Sequence, residues 1–127
     1  MAESTKYEMS VSVTTHYLAE QSDTEAQRFV FAYQIKIRNT GTVAGQLLSR
    51  HWVIRDGESQ VQEVRGMGVV GEQPNIQPGE EFEYVSGAAL TSQVGTMEGS
   101  YQFIAADGVE FQVMIDPFVL SVPRVLH

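Results

Sequence analysis

Phe29-Val30-Phe31-Ala32-Tyr33-Gln34-Ile35-Lys36-Ile37-Arg38, closed by Asn39-Thr40-Gly41, is the stretch whose reading decides the fold. In extended chain, successive side chains point to opposite faces. Phe29, Phe31, Tyr33, Ile35 and Ile37 therefore share one face, and Val30, Ala32, Gln34, Lys36 and Arg38 the other. Aromatic and β-branched residues suit a pleated, half-buried surface. The spacing predicts a central strand that ends at a turn.

The same period of two recurs on both sides of this stretch. Tyr7, Met9, Val11 and Val13 alternate with Glu8, Ser10, Ser12 and Thr14, and the polar stretch 20–25 then reads as a loop. Residues 47–54 place Leu48, Arg50, Trp52 and Ile54 on one side, with Asp56-Gly57 as a tight turn beyond. Residues 61–64 form a weaker strand, and a long connection through Pro74 and Pro78-Gly79 leads to Phe82 and Tyr84. The segment 101–104 and the alternating Val109, Phe111, Val113 and Ile115 form a hairpin across Asp107-Gly108, whose ladder Pro117 is expected to end. No window carries apolar residues at helical spacing over three turns. The pattern predicts an all-β fold, a β-sandwich of two antiparallel sheets with about seven to eight strands, in preference to a closed barrel.

Composition bounds the function. With 127 residues and 14.1 kDa, the chain is read as one domain spanning 1–127. A hydrophobic share of 43% against 19% charged is too apolar for disorder. Eight Lys and Arg against 16 Asp and Glu give a formal charge of -8, which repels phosphate backbones and anionic lipid, so no nucleic-acid partner is expected. The chain has no Cys, which removes disulfides, thiolate chemistry and Cys-type zinc or iron–sulfur sites. The first six residues lack the apolar centre of a signal peptide, and no apolar run approaches the roughly 18 residues of a membrane span. A cytoplasmic location is expected.

Two clusters stand out as candidate sites. Gly66-Met67-Gly68-Val69-Val70-Gly71 matches the GxGxxG pattern, in which glycines bring backbone close to a pyrophosphate at the start of a helix. Pro74 and Pro78 argue against that helix, and no βαβ unit surrounds it, so the glycines are expected to supply positive φ or close packing between strands. The functional candidate here is a backbone nest for a small anion, built from Gly66, Gly68 and Gly71 with Arg65 or Arg50. In Ser49-Arg50-His51-Trp52, alternation sets Arg50 beside Trp52 on a face that reads as buried. A buried arginine needs a carboxylate, and Glu72 or Glu98 is expected to supply it as a structural ion pair.

Other chemistry finds no pattern. His51 points away from Trp52, and His16 and His127 complete no metal-ligand spacing. Glu80, Glu81 and Glu83 read as a solvated turn and strand start, so no metal and no cofactor is expected. No nucleophile with its base and no carboxylate pair occurs at a recognisable spacing, hence no catalytic residue is assigned.

Ser49-Arg50-His51-Trp52, the run from Gly66 to Pro74, Pro78-Gly79 with Tyr84-Val85-Ser86-Gly87, and Met97-Glu98-Gly99-Ser100-Tyr101 together resemble the bacterial ApaG family. The likeness runs from about Tyr7 to Pro123 and includes Asp116-Pro117-Phe118. It implies an immunoglobulin/fibronectin type III-like β-sandwich, a domain attached elsewhere to F-box and polymerase-interacting proteins. It also implies an association with cobalt resistance and magnesium efflux, which is indirect for a chain without a membrane span. The family's glycine motif falls on Gly66, Gly68 and Gly71 and suggests a nucleotide or pyrophosphate ligand.

The leading expectation is a non-catalytic binding module that docks a partner protein or peptide on a sheet face or exposed edge. The alternative is a small-ligand sensor that takes a phosphate-bearing metabolite or divalent cation near Arg50, Arg65 and the glycines. Edge strands leave room for a homodimer, which nothing in the residue pattern demands.

Overall fold

β2 spans Phe29–Asn39 and lies between β1 (Met9–Tyr17) and β6 (Glu81–Leu90) in a three-stranded antiparallel sheet. Its burial follows the sequence stripe, with Phe31, Ile35 and Ile37 at most 1% exposed. The computed structural model describes residues 6–58 and 60–123, so His127 and most of the amino-terminal stretch read for targeting lie outside the described residues. The second sheet orders β4 (Gln60–Met67), β3 (Gly45–Asp56), β7 (Val94–Ala105) and β8 (Glu110–Ser121) side by side, and the short β5 (Asn75–Ile76) pairs with the start of β3. Eight antiparallel strands in two facing sheets form the expected all-β sandwich. The only helical element among the described residues is a three-residue 3-10 turn, Ala19–Gln21, in the polar loop after β1.

One core fills the space between the sheets. Trp52 is its centre: its indole meets Tyr33 at 5.6 Å, Tyr101 at 6.3 Å and Phe118 at 5.9 Å, each edge-on. Tyr84 on β6 and Tyr101 on β7 share a buried hydroxyl–hydroxyl hydrogen bond of 2.5 Å that ties one sheet to the other. Burial pushes both phenols far above their ordinary value, so both stay neutral and hydrogen-bonded.

Two sequence expectations are corrected. The alternation of residues 47–54 puts Leu48 with Arg50, Trp52 and Ile54, yet Leu47 is the fully buried residue and Leu48 is only partly buried. A β-bulge between Leu47 and Ser49 shifts the register against β7 by one residue, so Leu47 and Trp52 both reach the core although their spacing forbids it in regular strand. Pro117 does not end the last ladder: β8 continues to Ser121, because the proline sits on an edge strand at a second register irregularity, opposite Met97–Gly99. The weak strand at 61–64 is the middle of the longer β4, whose side chains are mostly exposed.

The two flanks of the sandwich differ. Along one, β1 packs against β8. Gly45 leaves space there for Met9, Phe103 and Phe111: a Cβ at that position would lie 2.8 Å from the Met9 methyl. The Tyr7 ring lies 5.5 Å from that of Phe111, tilted by 38°, and its hydroxyl donates to Asp107, which also holds Lys6 at 3.1 Å. Along the other flank, β4 and β6 are the two sheet edges, and the three-stranded sheet has no strand opposite β4.

Candidate functional site

The open flank between β4 and β6 is the candidate site. Two adjoining cavities of about 280 and 420 Å³ lie along it and share Tyr33, Arg50, Trp52 and Ser86. Tyr33 and Trp52 form the floor, nearly buried from the far side. Ser86 and Ala88 on β6 are small and only partly buried, which keeps the cleft open.

The Leu48 bulge decides where Arg50 goes. It turns Arg50, with Trp52 and Ile54, toward the three-stranded sheet at the point where that sheet has run out of strands. The bulge is held by its own carbonyl, which accepts from the Gly68 amide at 2.8 Å and from the Gln73 side-chain amide at 2.9 Å. Arg50 Nη1 donates to the carbonyls of Met67 at 3.1 Å and Gly68 at 2.8 Å, at the end of β4. Its guanidinium crosses directly over Gly66, its cross-strand neighbour, where a Cβ would stand 2.7 Å from Nη2. A side chain at 66 would displace the guanidinium from this position.

That arrangement corrects the ion pair expected for Arg50. Glu98 projects from the opposite face of the sheet and lies 3.5 Å from Arg55 Nε, while Glu72 is exposed at a turn. Backbone carbonyls take the role assigned to a carboxylate. They suffice because Arg50 sits at an open flank and is only partly buried.

The other glycines shape a turn. Val69 and Glu72 exchange two backbone hydrogen bonds of 2.8 and 2.9 Å around Val70 and Gly71, both at positive φ, 43° and 81°. Gly68 is also at positive φ, 65°, and a Cβ there would collide with the Glu72 carbonyl at 2.3 Å. Positive φ is the ordinary use of glycine and an outlier for a β-branched residue, so Val70 holds strain. No helix follows the motif; β5 does, which removes the dinucleotide geometry. The residues of the proposed anion nest do not share a single cavity: Arg50, Arg65 and Gly66 line one depression, whereas Gly71 lines the cleft with Arg50. The amides of Gly68, Val69 and Glu72 already donate within the protein.

Around the end of β4, the larger sheet carries a shallower depression of about 480 Å³ lined by Ser49, Arg50, His51, Arg65, Gly66 and Met67, among others. Its charges are mutually engaged. Glu63 Oε2 lies 2.8 Å from His51 Nε2 and 3.2 Å from Arg65 Nη2. The hydrogen bond from His51, joined by Arg65, holds the Glu63 carboxyl below its usual range. Glu81 and Glu83 lie 3.7 Å from Arg38 and Lys36, and Glu80 accepts from the Gln77 amide at 2.9 Å. Among the described residues, no group of three or more His, Cys, Asp or Glu side chains is placed to hold a metal ion.

The family model of the ApaG domain matches residues 19–105, which include the bulge, Arg50, the glycine segment and the strands on both sides of the open flank. The chain is also 63% identical to Protein ApaG of Thiobacillus denitrificans over 127 residues, the full length of both. The chain belongs to the ApaG family. Protein ApaG of Nitrosospira multiformis is 60% identical, again over all of both chains. A solved ApaG-like structure, described as an ApaA protein from Bordetella pertussis, superposes with a TM-score of 0.93 at 50% identity, covering 97% of this chain and all of that one. A protein from Archaeoglobus fulgidus, 10% identical with a TM-score of 0.53, shares the ApaG fold alone.

Sequence reasoning selected Arg50 and the glycines but not the cleft they border. Ala88 and Tyr33 carry no motif, Ser86 entered only as part of the family resemblance, and β6 becomes an edge strand only through the sheet order. The single available signal was negative: residues 85–89, Val-Ser-Gly-Ala-Ala, hold neither charge nor proline.

Proposed function

We propose that the chain is a single-domain, non-catalytic binding module whose open flank takes an extended segment of a partner protein, paired with the free edge of β6. The observation that carries this reading is the mismatch of three strands against a five-stranded sheet that is four strands wide, since β4 and β5 both lie along the same side of β3. An added strand beside β6 would occupy the lane opposite β4, covering Trp52, Tyr33 and Ser86 and completing the sandwich. Natural edge strands are guarded by charge, proline or bulges. β4 carries Glu63 and Arg65 and β8 carries Pro117, whereas 85–89 of β6 has no such guard. Backbone pairing along an edge supplies affinity, and pockets for alternate side chains supply selectivity.

A phosphate-bearing ligand fits less well. The cleft has one guanidinium, its neighbouring amides are engaged, and the net charge of -8 opposes a dianion. The same charge disfavours nucleic acid. An association with cobalt resistance and magnesium efflux, as the family resemblance implies, would run through the docked partner in the cytoplasm rather than through ions held by this chain.

The test is interaction capture by the wild-type chain and by Ala88→Lys, which points a charge into the lane; because Ala88 packs at the edge of the core, a melt of the variant accompanies the capture. Partners retained by the first and lost by the second, with the variant still melting cooperatively above the assay temperature, are expected. Partners retained equally by both would overturn the assignment to this flank. A parallel melt with millimolar pyrophosphate addresses the alternative, since a site saturated a hundredfold over its dissociation constant stabilises by about 2.7 kcal/mol.

A further inference from the structure

Among the described cationic side chains, Lys6, Lys36, Arg38, Arg55 and Arg65 each lie within ion-pair distance of a carboxylate. Arg28 and Arg50 do not, and of these two only Arg50 lines a cleft. In a chain with 16 acidic and eight basic residues, a cleft arginine without a carboxylate is conspicuous, because acceptors of the right charge abound elsewhere on the surface.

The geometry of Arg50 is that of a receptor group. Nη1 is anchored by two carbonyls, and the plane is laid over Gly66, so the fork is held before anything binds. A guanidinium presents five N–H donors in a fixed fork. The two protein hydrogen bonds both use Nη1, which leaves the Nη2 and Nε donors without an acceptor in the protein. Those donors match the two oxygens of a carboxylate. Preorganisation of this kind lowers the entropy lost on binding.

Resting on the open-flank reading, we infer that the segment docked beside β6 is an acidic peptide: it places a carboxylate, from an Asp or Glu side chain or from its chain terminus, on Arg50. An apolar side chain two positions away enters the adjoining cavity beside Trp52, Ile54 and Met97, since alternate residues of a strand share a face. A carboxylate suits the site better than a phosphate because one guanidinium neutralises one negative charge.

Trp52 is the only tryptophan and lines both cavities, so its fluorescence reports occupancy of the lane. The probe is a display library of random twelve-residue peptides, selected on the full chain, with the enriched sequences then synthesised and titrated against Trp52 emission. The enriched peptides are expected to share an acidic residue or a free carboxyl terminus at one register position, with an apolar residue two places away. Replacing that Asp by Asn in the peptide should weaken binding about tenfold or more. Arg50→Gln should weaken the acidic peptide by a similar factor and leave the Asn peptide unchanged, while Ala88→Lys abolishes both. The Asp-to-Asn comparison alters only the peptide and needs no folded variant. Peptides that Ala88→Lys abolishes but that bind equally with Asp or Asn overturn the carboxylate and leave the docking lane standing. Peptides that leave Trp52 emission unchanged and tolerate Ala88→Lys overturn the lane itself.

Discussion

The flank where β1 meets β8 and the flank where β4 and β6 stand apart are built from the same two sheets, yet only the first is finished. On the closed flank, Phe103 stacks on Phe111 at 5.4 Å, Gly45 makes room for Met9, and Lys6 and Tyr7 converge on Asp107. On the open flank, Trp52 and Tyr33 line a cleft, and the charged group that lines it with them is an arginine tethered to the carbonyls of Met67 and Gly68. The difference teaches that sheet order, rather than the composition of either sheet, sets the open flank apart: β6 has no strand beside it to cover the cleft.

The contrast breaks most directly by truncation on each side. Phe103 is fully buried, so Phe103→Ala should destabilise by about 3–5 kcal/mol, whereas Val64→Ala on the half-exposed inner face of β4 should remove only about 1 kcal/mol. Urea unfolding of both variants checks this. Equal losses would mean that the open flank is packed as tightly as the closed one.

A somewhat smaller effect is expected at the connection that caps one end of the open flank. Asn39 is 1% exposed; its Nδ2 donates to the carbonyls of Val43 and Ile76, both at 2.9 Å, and its Oδ1 accepts from Gly41 at 2.8 Å. Asn39→Ala orphans those buried groups and should lose about 3 kcal/mol. Amide exchange at Asn75 and Ile76 should rise with it, because β5 loses its anchor; unchanged protection there would separate β5 from Asn39.

Val70 sharpens the comparison in the opposite direction. Asparagine tolerates positive φ far better than valine, so Val70→Asn should raise stability by about 1 kcal/mol in a thermal melt. A destabilised Val70→Asn protein would show that the exposed valine holds more of the cleft than its turn.

The smallest effect concerns the far end of the same flank. Asp56 accepts from the Thr91 amide at 2.7 Å, the Thr91 hydroxyl at 2.9 Å and the Ser92 amide at 3.0 Å, fixing the β6–β7 loop. Partial burial raises its pKa, but these hydrogen bonds outweigh burial and the folded carboxyl titrates below its ordinary value. A depressed folded value means that the stabilisation is fully present above the unfolded aspartate pKa of about 3.9 and is lost as pH falls through the lower folded value. Asp56→Asn should therefore lower the neutral part of a stability–pH profile while sparing its acid end, which flattens the limb between them. An acid limb identical to wild type would remove Asp56 as its source.

Much of the fold was legible because burial in a strand repeats every second residue. The stripe from Phe29 to Ile37 and the hairpin across Asp107-Gly108 needed only that rule and the turn chemistry beside it. It failed at Leu47-Leu48, where two adjacent leucines satisfy either phase and only the pairing with β7 selects the bulge, and at Pro117, where only the position at a sheet edge shows that the ladder continues. The glycine segment was legible as irregular crossing chain, since its prolines exclude a helix. The partner of Arg50 was not, because cross-strand neighbours and carbonyl directions carry no mark in linear order.

By itself, then, the amino-acid order determined that this chain forms extended strands with one oily face, where it turns, and which chemistries its composition lacks. Only tertiary structure decided that three strands face a sheet four strands wide, that β6 ends as a bare edge and that Arg50 lines the resulting cleft. Periodicity is a local property set by each residue's own solvation, whereas sheet order and the side a bulged strand presents are settled by pairing between segments far apart in the chain.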